Sequence, residues 1–108
     1  MGVVVKRFEV WIAQLEPTRG AEMRKARPVV IVSPDELNRQ LRTVIVAPLT
    51  SGRRYSFRVP TRVQGRDGVA AIDQLRSIDK QRLTKKLTTL RAPTTKKLMD
   101  AIQTVFEL

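Results

Sequence analysis

The sequence predicts an α+β fold in which short strands curl into a small, partly open β-barrel, with short inserted helices and one helix at the C-terminus. Three observations predict it. Runs rich in β-branched or alternating apolar residues recur at least five times, each only a few residues long and bounded by Pro, Gly or Ser. Only one short helical signal separates strands in the first half, too few crossovers for a parallel βαβ sheet. Sustained helical periodicity is confined to the end of the chain. At 108 residues the chain reads as one domain spanning 1–108, able to bury a core but with a high surface-to-volume ratio that favours a homo-oligomer.

The first strand is Phe8 to Leu15, with Phe8, Val10 and Ile12 on one face and Trp11 on the other. Glu16-Pro17 breaks it, and Thr18 to Ala26 reads as a long exposed basic loop. Val29 to Val32 is an unbroken β-branched run, which implies burial on both faces. Ser33-Pro34-Asp35-Glu36 has the form of a helix start, with Ser33 as N-cap, Pro34 at the first helical position and Glu36 closing a capping box over a helix of Pro34 to Arg39. Thr43 to Ala47 is a third strand, ended by Pro48, and Thr50 to Arg54 is a basic turn. Further strands are expected at Ser56 to Val63, Gly68 to Ile72 and Lys86 to Leu90, with a helical turn after Asp79. Thr94 is expected to cap the last helix, whose Leu98, Ile102 and Val105 form a stripe widened by Met99 and Phe106.

Composition excludes much chemistry. The chain has no Cys and no His, so it lacks a disulfide framework, a thiol nucleophile, an imidazole base and the usual zinc ligands. Any catalysis runs on Arg, Lys, Thr, Ser, Asp or Glu, and no metal or cofactor is expected. Twenty-one Lys and Arg against 10 Asp and Glu give a formal net charge of +11. Arg predominates, and its planar fork suits phosphates better than a point charge does. A polyanionic partner follows: nucleic acid, or an acidic protein that neutralises the basic face. No window approaches the length of a membrane span, so a cytoplasmic protein with no membrane partner is expected.

Five blocks, in order and with compatible spacing, resemble the MazF/PemK toxins of bacterial toxin–antitoxin systems. They are Leu15-Glu16-Pro17-Thr18-Arg19-Gly20-Ala21-Glu22, Arg27-Pro28-Val29-Val30-Ile31-Val32-Ser33, Val46-Ala47-Pro48-Leu49-Thr50-Ser51, Asp67-Gly68-Val69-Ala70 and Asp73-Gln74-Leu75-Arg76-Ser77-Ile78-Asp79. The resemblance implies an SH3-like barrel of the PemK/MazF/CcdB type, a symmetric homodimer, and a metal-independent endoribonuclease that cuts single-stranded RNA at short sequences and is restrained by an acidic antitoxin. It also maps the family's catalytic Arg to Arg27 and its catalytic Thr to Thr50. Glu22 matches an acidic position of the family's first loop.

The residues are compatible with that chemistry on their own terms. RNA carries its nucleophile, the 2′-hydroxyl, so cleavage to a 2′,3′-cyclic phosphate and a 5′-hydroxyl needs only charge stabilisation and proton transfer. Arg27 either flanks an edge strand or reaches a scissile phosphate from a rigid base. Thr50 is a turn-forming hydroxyl or a donor to the same phosphate. Glu22 is a proton acceptor or an ion-pair partner of Arg19, Arg24 and Arg27. Arg19, Arg24, Lys25, Arg53 and Arg54 are candidate phosphate contacts, with Tyr55 as a base-stacking or barrel-edge aromatic and Asp73 and Arg76 as RNA-orienting residues or partners of each other. Trp11 and Val105 are candidates for the dimer surface. In some members an Asp at the position of Asp73 and an Arg two residues before it are assigned catalytic roles, with a His in the first loop; here Ala71 and Ala21 stand in the last two places, which leaves Asp73 as structural or substrate-orienting, paired with Arg76 or a backbone amide. Met23-Arg24-Lys25 replaces the usual Gln and Gly residues of the loop, and Phe8-Glu9 replaces a Gly followed by an acidic residue. Two other functions remain open on residues alone: a CcdB-like toxin that traps a DNA topoisomerase, and a non-catalytic nucleic-acid-binding module.

Overall fold

The structure, a computed structural model, describes residues 3–15 and 26–107. Arg19, Glu22, Arg24 and Lys25, and with them all of the expected loop except Ala26, lie outside the described residues. Seven strands are present among those described: β1 (Glu9–Gln14), β2 (Ala26–Ile31), β3 (Thr43–Thr50), β4 (Arg58–Val63), β5 (Arg66–Ala71), β6 (Arg76–Asp79) and β7 (Leu83–Thr89). Two α-helices, α1 (Asp35–Gln40) and α2 (Thr94–Val105), and two single 3-10 turns, Ile72–Gln74 and Lys80–Arg82, complete them. The strands run in the order β4-β5-β3-β2-β1-β7, with β6 also paired to β3, and every pairing is antiparallel. The result is the curled α+β sheet with a C-terminal helix that the strand pattern predicts.

Side-chain alternation divides the interior in two. On one face Val10, Val30, Ala47, Leu49 and Val59 pack with Leu98 and Ala101 of α2; on the other Trp11, Ala13, Val29, Ile31, Val44, Val46, Ile78 and Leu83 form a second cluster. Val29, Val30 and Ile31 are all fully buried, as an unbroken β-branched run requires. Burying Leu98 completely contributes about 2 kcal/mol, which fixes α2 against the first cluster.

Several expectations are corrected. Pro48 does not end its strand. β3 pairs with β6 only as far as Val46 and with β5 only from Leu49, so a residue without an N–H falls where the ladder on that edge is interrupted. Ser33 is not an N-cap and Glu36 closes no capping box: Pro34 occupies the cap position of α1 without a side-chain bond. The Ser33 hydroxyl instead accepts from the Ile45 N–H at 3.0 Å and donates to the buried Asn38 side chain, so tertiary partners claim it. Thr94 is the first residue of α2 rather than its cap, because Pro93 before it is already in the helical region. The apolar stripe of α2 is Leu98, Ala101 and Ile102, while Val105 and Phe106 are exposed. Trp11, a candidate for the dimer surface, is largely buried in the second core cluster of its own chain. β6 was not anticipated; its four residues, Arg76–Asp79, hold only one buried side chain, Ile78.

The start of β1 is held by a buried carboxylate. Glu9 accepts from the Lys6 N–H (2.9 Å) and the Trp11 indole N–H (3.1 Å), and Lys86 Nζ lies 3.0 Å away across the sheet. Burial pushes its pKa up, but these hydrogen bonds and the Lys86 charge outweigh burial and leave it below the ordinary carboxylate value. Phe8, just before it, has φ 71°, the left-handed region that disfavours a side chain, while its backbone bonds to both Ile31 and Leu90. A glycine would meet this backbone demand without cost, and Phe8 meets it under strain. Gln64 (φ 51°) and Gly65 (φ 80°) close the β4–β5 hairpin as a two-residue turn of primed type, whose twist suits the strands.

Two predictions follow from this strand start. Glu9→Ala should lower stability at neutral pH by about 2 kcal/mol, seen as a shifted urea midpoint with an unchanged m value. Because the folded pKa is depressed, the stabilisation is complete above the unfolded value of about 4.3 and disappears as pH falls through the folded one. The gap between variant and wild type should therefore narrow as pH falls below the unfolded value of about 4.3. At position 8, Phe8→Gly should be more stable than Phe8→Ala by about 1 kcal/mol, the reverse of the usual order in strands, in paired thermal melts.

Candidate functional site

Arg27 is the second residue of β2, exposed, and paired to Ala13 of β1. It shares the face of Val29 and Ile31, which belong to the second core cluster. Thr50 is the last residue of β3, half-buried, and paired to Val69 of β5. The register of β2 on β3 runs through Val29 opposite Pro48. Arg27 lies two residues before Val29 and Thr50 two residues after Pro48, so both stand just beyond the same end of the β2–β3 ladder. A permanently charged five-donor fork and a hydroxyl thus stand toward the same end of the ladder.

On the opposite face lies a cleft of about 640 Å³, lined by Ile12, Pro28, Leu49, Thr61, Gly68 and Leu87 among others, with Thr50 and Ser51 at its rim. Ala26 and Pro28 line it and Arg27 does not, because neighbouring side chains of a strand point to opposite faces. Gly68 permits a close approach at this point: a Cβ there would stand 3.0 Å from the Thr50 carbonyl oxygen.

Beyond Thr50 the chain runs as an exposed segment, Ser51 to Ser56, carrying Arg53 and Arg54 in solvent rather than as the basic turn expected. Tyr55 stacks in parallel on Phe57 (centroids 5.0 Å apart, planes 4° apart) and lies under the guanidinium of Arg58, 5.6 Å from its ring centre. Asp73 does not pair with Arg76. Its two oxygens accept from Arg58 Nε and Nη2, each at 3.1 Å, which lowers the Asp73 pKa and raises that of Arg58. Arg76 is exposed on β6 opposite Val46, about 13 Å along β3 from Thr50 at ordinary strand rise.

Arg58 is the residue that sequence reasoning missed. Its only signal is its place between Phe57 and Val59 in an alternating run, which marks it as outward-facing and says nothing of Asp73. Among the described residues no group of three or more acidic side chains could hold a metal ion, and no helix is long and apolar enough to cross a membrane.

A curled sheet with Arg27 and Thr50 toward one end of the β2–β3 ladder, and an exposed basic segment following Thr50, has the chemistry of a surface for phosphate-bearing ligands. The chain belongs to the PemK-like, MazF-like toxin family of type II toxin–antitoxin systems, whose model matches residues 6–106. It is 37% identical over 107 residues to the endoribonuclease MazF of Staphylococcus saprophyticus, covering 92% of this chain and 88% of that protein. Among solved structures it is similar to the Mycobacterium tuberculosis toxin MazF-mt6, at 29% identity and TM-score 0.77, covering 93% of this chain and 97% of the other. It is also similar to an endoribonuclease solved with its cognate antitoxin from a mycobacterial species, at 25% identity and TM-score 0.81, covering 96% of each chain.

The close approach of β5 to β3 is testable by itself. Gly68→Ala should cost about 1–2 kcal/mol, because the contact is with backbone, which cannot swing aside. Hydrogen exchange should rise at Thr50 and Val69 before it rises at Val44 or Val46.

Proposed function

We propose that this MazF-like endoribonuclease toxin acts as a single domain on single-stranded RNA, cutting at a short sequence without a metal. The 2′-oxygen attacks the adjacent phosphorus and gives up its proton. The 5′-oxygen leaves and takes one up, and the products are a 2′,3′-cyclic phosphate and a 5′-hydroxyl end. Arg27 neutralises the charge that builds on the non-bridging oxygens of the pentavalent intermediate, where a preorganised donor is worth most. The Thr50 hydroxyl donates to the same phosphate. Glu22, outside the described residues, is the proposed proton acceptor for the 2′-hydroxyl. What supports the reading is that Arg27 and Thr50 each lie two residues beyond the Val29–Pro48 pair, toward the same end of the β2–β3 ladder.

Arg53 and Arg54 then bind phosphates along the strand, with Arg19, Arg24 and Lys25 completing the groove from the first loop. Tyr55, Asp73 and Arg76 border it. RNA and a disordered acidic antitoxin tail compete for this surface, since carboxylates can stand where phosphates would lie. The toxin acts as a homodimer, with exposed Val105 and Phe106 of the α2 end available for pairing.

Arg27→Ala should reduce cleavage about a hundredfold or more while the fold survives, because one charged transition-state donor is removed and little core is touched. Thr50→Val keeps the shape of the side chain and should lower the rate about tenfold with RNA affinity preserved. Both are read on a long single-stranded RNA in EDTA, scoring fragments with 5′-hydroxyl ends. Wild-type turnover by folded Arg27→Ala, or intact RNA with the wild-type protein, overturns the assignment.

A further inference from the structure

The exposed segment from Ser51 to Ser56 has no strand partner, yet it lies against one side chain along much of its length. The chain passes so close over Arg58 at Gly52 that a Cβ there would stand 2.8 Å from Nη1. Tyr55 lies under the same guanidinium, and its carbonyl accepts the Arg58 N–H at 2.9 Å. The remaining nitrogens, Nε and Nη2, are both taken by Asp73. Asp73 in turn sits in the 3-10 turn Ile72–Gln74, which is bonded to the segment's end through the Ile72 N–H and the Phe57 carbonyl. The Arg58 side chain is only 17% exposed and its charge is matched by Asp73, so it is poorly placed to bind a phosphate itself.

We infer that Arg58, clamped by Asp73, is a positioning residue: a post that holds the Gly52–Tyr55 segment in one conformation and so presents Arg53 and Arg54 to the RNA backbone. The inference rests on the reading that this segment binds RNA. A planar guanidinium is suited to the task, since its edge forks onto the carboxylate, its face meets Tyr55 and its third nitrogen lies against the backbone at Gly52. Holding two cations in place before binding removes an ordering cost, so the benefit falls on affinity rather than on the chemical step.

The test uses the full chain with Arg58→Met, Arg58→Lys, Asp73→Asn and the Arg58→Met/Asp73→Asn double variant. The first measurement needs no RNA: initial rates of trypsin cleavage after Arg53 and Arg54, followed by mass spectrometry. Each single variant should raise these rates about tenfold as the segment loosens. Arg58→Lys should behave like Arg58→Met, since charge without the fork does not make the post, and it serves alone if Arg58→Met fails to fold. In RNA cleavage, KM should rise about tenfold with kcat changed less than twofold, and the double variant should be no worse than either single one. Unchanged trypsin rates overturn the inference. So does tighter RNA binding by Asp73→Asn, or a fall of roughly 0.7 in the log–log salt slope of Arg58→Met, since either would mean that Arg58 contacts phosphate directly. Faster trypsin cleavage in a protein whose wild type leaves RNA intact supports the post and overturns only the functional reading.

Discussion

Strand β3 changes partner along one edge, and the arrangement of the candidate site follows from that. Its first half pairs with β6 and its last two residues pair with β5, while β2 runs along the other edge. One strand therefore joins both core clusters, and its end emerges where three strands meet. Thr50 occupies that end, Gly68 lets β5 approach its carbonyl, and Arg27 lies two residues beyond the same end of the β2–β3 ladder. Pro48 sits at the change of partner, where a missing N–H costs no ladder bond. A regular strand with one neighbour throughout would leave no such junction.

Charge is handled differently inside and outside. The surface carries the excess of Lys and Arg behind the net charge of +11, and Arg53 and Arg54 stand in solvent with no ion pair among the described residues. Within the fold, the carboxylate of Glu9 is buried and meets two N–H donors and a lysine. The Arg58–Asp73 pair lies between these regimes, partly exposed and internally neutral. Such a pair adds little to stability at this exposure. Its geometric consequence is larger, because a bidentate fork restricts both side chains and whatever rests on them. The same economy appears at α1, where Ser33 bonds to β3 and Asn38 instead of capping its own helix.

What the sequence by itself determined is whatever local periodicity and composition control. The β-branched run at Val29 to Val32 implied burial on both faces, the turn residues separated the strands, and the absence of Cys and His limited the chemistry to Arg, Thr and carboxylates. The ordered blocks around Arg27, Thr50 and Asp73 marked the family and its candidate residues. Tertiary structure decided the rest, because those outcomes depend on partners distant in the chain. Strand β6 is too short to show a period and exists because β3 has a free edge for it. Pro48 reads locally as a strand end and is accommodated only because β6 stops and β5 begins beside it. Ser33 and Thr94 carry good capping chemistry, but Ile45 and Asn38 claim the Ser33 hydroxyl and Pro93 takes the cap position before Thr94. Arg58 and Asp73 are 15 residues apart with no motif joining them, and only the fold of β4 against the 3-10 turn after β5 brings the guanidinium to the carboxylate.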